Sequence, residues 1–157
     1  MIKFTGAAIL LLVLACNPPA DTQKLQAKVD SLQQQINNSY KPGLGEFMAG
    51  IQLHHAKLYF AGQKGNWKLA DFEVHEIMEA LDDIKQYAAD RPESKDVVML
   101  SPALDSINTA IAKKNTPAFN RSFIVLTNTC NTCHQTVHFE FNKITIPSAP
   151  PVTNQAF

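Results

Sequence analysis

Apolar residues recur every three or four positions in four successive segments of this chain, which is the spacing of amphipathic helices. The pattern predicts helices at about residues 45–61 and 67–89, then one that starts at Ser101-Pro102 and one that starts at Thr116-Pro117. Serine or threonine followed by proline is typical of a helix start, because proline suits the first helical position. No segment alternates convincingly as a strand would. The sequence therefore predicts an all-α domain over residues 44–141.

Each predicted helix carries one apolar stripe that can face a common core. In the first helix the stripe contains Phe47, Met48, Ile51, His55, Leu58 and Tyr59, and in the last it contains Phe119, Phe123, Leu126 and Cys130. Four antiparallel helices with short connections form an up-down four-helix bundle, in which cofactors are held between facing helices. The pattern ends near Phe141, and we expect an irregular tail over residues 142–157.

A separate, shorter pattern precedes the domain. Leu25, Val29, Leu32 and Ile36 are spaced by four, three and four residues, which is the seam of a coiled coil. The seam is only about two heptads long, shorter than a secure coiled coil. Two interpretations stay open: a stalk or oligomerisation helix, which would make the protein a homo-oligomer, or an amphipathic helix that docks on the domain or frays.

The N-terminus is typical of an exported protein. Lys3 supplies a positive charge, and residues 7–14 form an apolar run that is too short to cross a bilayer. A small residue, Ala15, directly precedes Cys16, as in the lipidation site of bacterial lipoproteins. We expect a signal peptide over residues 1–15, lipidation of Cys16, a tether and amphipathic helix over residues 16–43, and a membrane-anchored protein on the periplasmic side or at the cell surface. An ordinary signal peptide is the alternative.

The charge composition argues against one class of partner, nucleic acid. The 157 residues carry 14 Lys and Arg against 14 Asp and Glu, so the formal net charge is zero. Proteins that bind nucleic acid usually carry a basic stripe, and we therefore expect no nucleic-acid partner.

The chemistry of the chain is concentrated at Cys130-Asn131-Thr132-Cys133-His134. C-x-x-C-H is the attachment signature of c-type haem: the two thiols form thioethers to the haem vinyl groups, and the histidine is the proximal iron ligand. If Cys16 is lipidated, the other two of the three cysteines both belong to this motif. A structural zinc would need more ligands at paired spacing. A redox-active dithiol and an accidental match are the alternatives to one covalent haem c.

The position of this motif late in the last helix resembles the class II c-type cytochromes, the cytochrome c prime group. The resemblance covers residues 44–141 and implies a four-helix bundle with haem on the last helix. It also implies that the sixth iron position faces the first helix of the bundle, where Met48 is the matching residue. Low-spin members of the group have methionine there, and five-coordinate members have an apolar residue. Leu44 stands where the group often has arginine, and residues 135–138 lack its usual tyrosine and basic residues.

The sequence leaves three alternatives for the sixth position of the iron. Met48, Ile51 and His55 share one face of the first predicted helix, so Met48 can give a low-spin haem of raised potential. A methionine that only fills the core is the plainer interpretation. His54 or His55 is the second candidate, and a five-coordinate iron that is open to diatomic gases is the third.

A group of charged residues on the second predicted helix suggests a carboxylate metal site, but weakly. Glu73, Glu76 and Glu79 surround His75, whereas a di-iron bundle needs Glu-x-x-His from two helices. We expect these residues to be solvated helix charges.

The haem motif predicts an electron carrier, not an enzyme, that passes single electrons between redox partner proteins. A gas-binding or NO-detoxifying haem protein is the main alternative, and a structural lipoprotein is the third.

Overall fold

The computed structural model of this chain describes residues 20–157. The predicted signal peptide and the predicted lipidation site at Cys16 therefore lie outside the described residues. The chain divides into two compact units, one up to Tyr40 and one from Lys41 to Phe157. In the first unit, helix α1 (Ala20–Asn37) carries the predicted apolar seam, and its four seam side chains are exposed.

The second unit is built from four α-helices. Helix α2 (Leu44–Gln63) packs mainly against α3 (Trp67–Tyr87), α3 also contacts α4 (Ser101–Ala112), and α4 contacts α5 (Thr116–Thr136). Helix α5 returns to contact α2, which closes the group. Residues 20–157 contain no strand. The predictions of an all-α fold and of antiparallel helix packing are confirmed.

Two asparagines set the starts of α3 and α5. The Asn66 Oδ1 atom accepts a hydrogen bond from the Leu69 N–H at 3.3 Å, and Asn115 Oδ1 accepts one from the Ala118 N–H at 3.0 Å. These bonds satisfy backbone donors that have no partner inside the helix. The sequence predicts the Asn66 cap, because asparagine is a favoured N-cap residue and directly precedes the second predicted helix. At α5 the side chain that caps is Asn115, one residue before the predicted start at Thr116.

The segment before α4 corrects one prediction. The sequence predicts a polar loop between Arg91 and Ser101, but residues Pro92–Leu100 form a 3₁₀ helix that runs directly into α4. Ser94, Val97 and Leu100 are its buried residues. A spacing of three matches the three residues per turn of a 3₁₀ helix, so these side chains line up on one face. Helix α4 begins at Ser101, but Ser101 already has helical backbone angles, and the residue at the N-cap position is Leu100. The sequence predicts Ser101 itself as the cap.

A core of aliphatic and aromatic side chains fills the space between α2, α3, α4 and α5. Its largest fully buried members are Phe119 and Phe123 on α5, with Leu58, Ile77, Ile84 and Ile107 from the other helices. Phe119 lies against Gly62 of α2 so closely that a β-carbon at Gly62 would clash with the ring. Among the helices of residues 20–157, none is long and apolar enough to cross a membrane.

Candidate haem site

A cavity of about 370 Å³ lies beside the C-x-x-C-H motif. Cys130, Cys133 and His134 all line it from α5, and Met48 lines it from α2. The 3₁₀ helix contributes Val97 and Leu100, and the C-terminal tail contributes Ile144. The volume lies in the range of about 300–1,000 Å³ that is usual for small-molecule and cofactor sites. The structure thus brings the three motif residues to one cavity with a candidate sixth ligand.

The two motif cysteines lie one turn apart on the same side of α5. Both are buried free thiols. Burial raises the pKa of Cys130 to about 12, with a smaller contribution from neighbouring Cys133. Burial also raises the pKa of Cys133, and the nearby carboxylate of Asp96 adds to the effect. The thiols are therefore protonated at neutral pH.

The His134 ring is oriented by the tail. Its Nδ1 atom lies 2.6 Å from the backbone carbonyl oxygen of Asn142. A carbonyl can only accept, so Nδ1 carries the hydrogen and Nε2 carries the lone pair. This is the arrangement of most metal-binding histidines, in which the second nitrogen is fixed by a hydrogen bond. The lone pair of Nε2 is thus the atom that His134 can offer to a metal.

Asn131, the first variable residue of the motif, fastens this part of the tail to α5. Its Nδ2 atom donates to the Ile144 carbonyl at 2.8 Å, and its Oδ1 atom accepts from the Ile144 N–H at 2.8 Å. The paired bonds hold the Ile144 backbone as a neighbouring strand in a sheet would. Ile144 lies two residues after Asn142, whose carbonyl oxygen contacts the His134 ring. We call residues 142–144 the tail strap. The sequence contained no signal for this role beyond the presence of an amide side chain in the motif.

His55 lines the same cavity but has a partner of its own. Its Nε2 atom lies 2.9 Å from Thr127 Oγ1, and that hydroxyl donates its only hydrogen to the Phe123 carbonyl. The Thr127 oxygen must therefore accept from His55, so Nε2 carries the hydrogen and Nδ1 the lone pair. Burial lowers the pKa of His55 to about 4, and the ring is neutral at pH 7.

His54 points to a different site. Its Nδ1 atom lies 2.7 Å from Glu73 Oε2, and His54 is not among the residues that line the cavity. The Glu73 carboxylate is fully buried, and its other oxygen lies 2.5 Å from Lys57 Nζ. The expectation that Glu73 is a solvated helix charge is therefore wrong, whereas Glu79 on the same helix is exposed. A buried carboxylate needs such partners because its desolvation is costly.

Two charged residues at the cavity were not predicted as site residues. Arg91 and Glu93 both line it, and the Arg91 guanidinium makes two hydrogen bonds to the Glu93 carboxylate, at 2.9 and 3.2 Å. This interaction lowers the pKa of Glu93. In the sequence, Arg91-Pro92 only indicates the end of a helix. The tertiary structure brings this arginine to the cavity, far along the chain from Leu44, the position where the resemblance implies one.

The residues present fit a covalently attached haem. Two thiols at the required spacing, an imidazole whose Nδ1 is held by a backbone carbonyl so that Nε2 is the atom left for a ligand, and a mainly apolar cavity meet at one place. In contrast, the described residues contain no group of three or more His, Cys, Asp or Glu side chains that could hold a metal ion by themselves. The residues that the sequence suggested weakly as a metal site, Glu73, Glu76 and Glu79 with His75, are thus not gathered into a group of that kind.

Comparison with known proteins gave no relative: no family model, no curated protein and no solved structure matches this chain.

Proposed function

We propose that this protein is an exported, lipid-anchored monohaem c-type cytochrome that carries single electrons between partner proteins. The observation that carries the proposal is the cavity shared by Cys130, Cys133, His134 and Met48. Haem bound there supplies a one-electron iron couple. The two cysteines would hold it through thioethers, and His134 would bind the iron through Nε2.

Met48 is the favoured sixth ligand. Met48 lines the cavity, and a thioether has no hydrogen to lose before it can bind a metal. His55 offers Nε2 only if its bond to Thr127 is broken, and that would leave a buried hydroxyl without its donor. Ligation through Nδ1 would spare this bond, so His55 is the second candidate.

The residues that line the cavity are suited to an electron carrier that transforms no substrate. Val97, Leu100 and Ile144 cover the cavity with apolar surface, which limits water at the iron and helps to set the potential. Arg91 is the one Lys or Arg among the described residues that line the cavity, so it would be the partner for a haem propionate, in exchange for Glu93.

Covalent attachment is the first test. The chain should be expressed in a host that matures c-type cytochromes, and its mass measured after denaturation. Wild type should retain one haem, whereas the Cys130→Ala, Cys133→Ala double variant should retain none. A wild-type chain without covalent haem would overturn the cytochrome proposal.

Optical spectra of the oxidised and reduced protein, with and without CO, test the carrier function. We expect a low-spin spectrum that CO does not change, with a sulfur-to-iron band that is lost in Met48→Ala. Met78→Ala is the matched control, because Met78 is also half-buried but does not line this cavity. A high-spin spectrum that shifts with CO would favour the five-coordinate, gas-binding alternative.

A further inference from the structure

The exposed apolar seam of α1 has no role in the haem site. Leu25, Val29, Leu32 and Ile36 are 64%, 49%, 49% and 57% exposed, although all four lie on one side of the helix. Isolated exposed apolar residues are ordinary, but four in a row along one helix indicate a surface that another element covers. We propose that α1 pairs with α1 of a second copy of this chain as a parallel, two-stranded coiled coil.

The width of the seam favours a helix as the partner. Large apolar residues occupy only the a and d positions of the heptad, with Val29 and Ile36 at a and Leu25 and Leu32 at d, and the alanines of the helix lie at the outward f position. Such a narrow stripe fits the contact between two coiled-coil helices, whereas a helix that lies on a membrane has a much wider apolar face. Gln26 and Gln33 border the seam at the e positions, where a membrane-bound helix would have apolar residues.

The choice of side chains specifies the number and direction of the strands. Valine or isoleucine at a together with leucine at d favours parallel dimers over trimers and tetramers. This chain has that combination in the central heptad, with Val29 at a and Leu32 at d, and it continues the pattern with Leu25 at the preceding d and Ile36 at the following a, whereas the first a position is Thr22.

The flanking charges permit pairing between identical chains. In a parallel dimer each g residue faces the e residue five positions later in the partner helix. Lys28 then faces Gln33, and Asp21 faces Gln26, so no like charges oppose each other. A coiled coil built to select a different chain usually carries complementary charges at these positions. The helix also has internal side-chain bonds, such as Gln26 to Asp30 at 2.8 Å, that leave the seam free.

Cysteine cross-linking of the full chain tests the direction of pairing. Leu25→Cys and Ile36→Cys should each form a disulfide-linked dimer on mild oxidation, because identical positions meet in a parallel coil. Gln34→Cys, at the outward f position, should not. In an antiparallel pair Leu25 would meet Ile36, and identical positions would lie about 16 Å apart along the axis. The unsubstituted chain serves as the blank for Cys16, Cys130 and Cys133.

Sedimentation equilibrium tests the affinity. With Cys16→Ser to avoid lipid, the chain should show a concentration-dependent rise toward twice the monomer mass. Leu32→Glu should weaken the dimer at least about tenfold, because each dimer loses two buried leucines. Ser31→Glu adds the same charge at the solvent-facing c position and should change little. Both substitutions introduce a good helix former, so α1 itself should persist.

Three results would overturn the proposal: a monomer at every concentration, equal cross-linking at Gln34→Cys and Leu25→Cys, or a mixed Leu25→Cys with Ile36→Cys disulfide in place of the self-disulfides. All of these variants lie outside residues 41–157. The difference between each variant and its control therefore reports on α1, whether or not the domain carries haem.

Discussion

His55 and Glu73 are two buried ionisable residues whose environments differ in kind. His55 has a neutral hydroxyl as its partner and stays uncharged at pH 7, whereas the Glu73 carboxylate contacts two basic side chains, Lys57 and His54. The helical pattern places His55 on the inner stripe of its helix, whereas Glu73 was expected at the surface and is buried. Only the neighbouring helix decides which of them receives a charged partner, because a carboxylate without one would be too costly to bury.

The protonation of His55 makes the stability of the domain depend on pH. Its pKa is about 4 in the folded chain and 6.5 in the unfolded chain, so only the unfolded chain gains a proton between these values. The free energy of unfolding should therefore be fully retained above pH 6.5 and fall as the pH drops toward 4, by about 3 kcal/mol from this group.

Urea unfolding of haem-free protein between pH 7 and 4 measures this effect. His55→Gln keeps a donor for Thr127 but cannot titrate, so its stability should decline less over the same range. His138→Gln, at an exposed position, should behave like wild type. If His55→Gln and wild type lose the same free energy of unfolding between pH 7 and 4, groups other than His55 cause the loss.

At the scale of elements, the contact between α2 and α5 depends on a glycine. Gly62 has no room for a β-carbon because the Phe119 ring occupies that space, whereas Gly50 on the same helix has open space. Gly62→Ala should therefore destabilise the domain by about 1–3 kcal/mol through overpacking. Gly50→Ala should stabilise it by about 0.5–1 kcal/mol, since alanine is the better helix former. Chemical denaturation of the two variants measures both effects. Two changes of the same sign would contradict this account.

The tail strap should detach when Asn131 is shortened. Asn131→Ala removes both bonds to Ile144, so the Ile144 amide should exchange its hydrogen with solvent much faster. The free energy of unfolding should fall by about 1–3 kcal/mol. Thr132→Ala is the matched control, because the Thr132 hydroxyl bonds only within α5.

In the haem-bound protein, Asn131→Ala should also shift the reduction potential, since the Asn142 carbonyl that orients His134 is less firmly held. Unchanged exchange at Ile144 would contradict the role given to Asn131.

The elements also show where the pattern of the sequence was insufficient. Helical spacing and the Asn66 cap predicted α2 and α3 closely, because these helices each bury one continuous stripe. The 3₁₀ helix was missed, since its Ser94, Val97 and Leu100 repeat every three residues inside a polar segment. That repeat is short, and it gains stability only from burial against its neighbours.

For the whole molecule, the two compact units predict independent folding. A chain that begins at Lys41 should keep the helical content of the domain and melt within about 4 °C of the full chain. A chain that ends at residue 141 should melt lower, because it lacks Ile144 and Phe157, which pack on the core. Circular dichroism during heating measures both. A domain that unfolds without residues 1–40 would contradict the division into units.

The sequence by itself determined the α-helices, the motif and the heptad seam, because each of these depends on spacing within a short stretch of chain. It also placed Met48 and His55 on one helical face. Only the tertiary structure decided which residues share the cavity with the motif. It brought Arg91, Ile144 and the Asn142 carbonyl there from distant segments, and it separated His54 from His55 by pairing His54 with Glu73. Such contacts arise from the packing of helices and the path of the tail, which local periodicity does not encode.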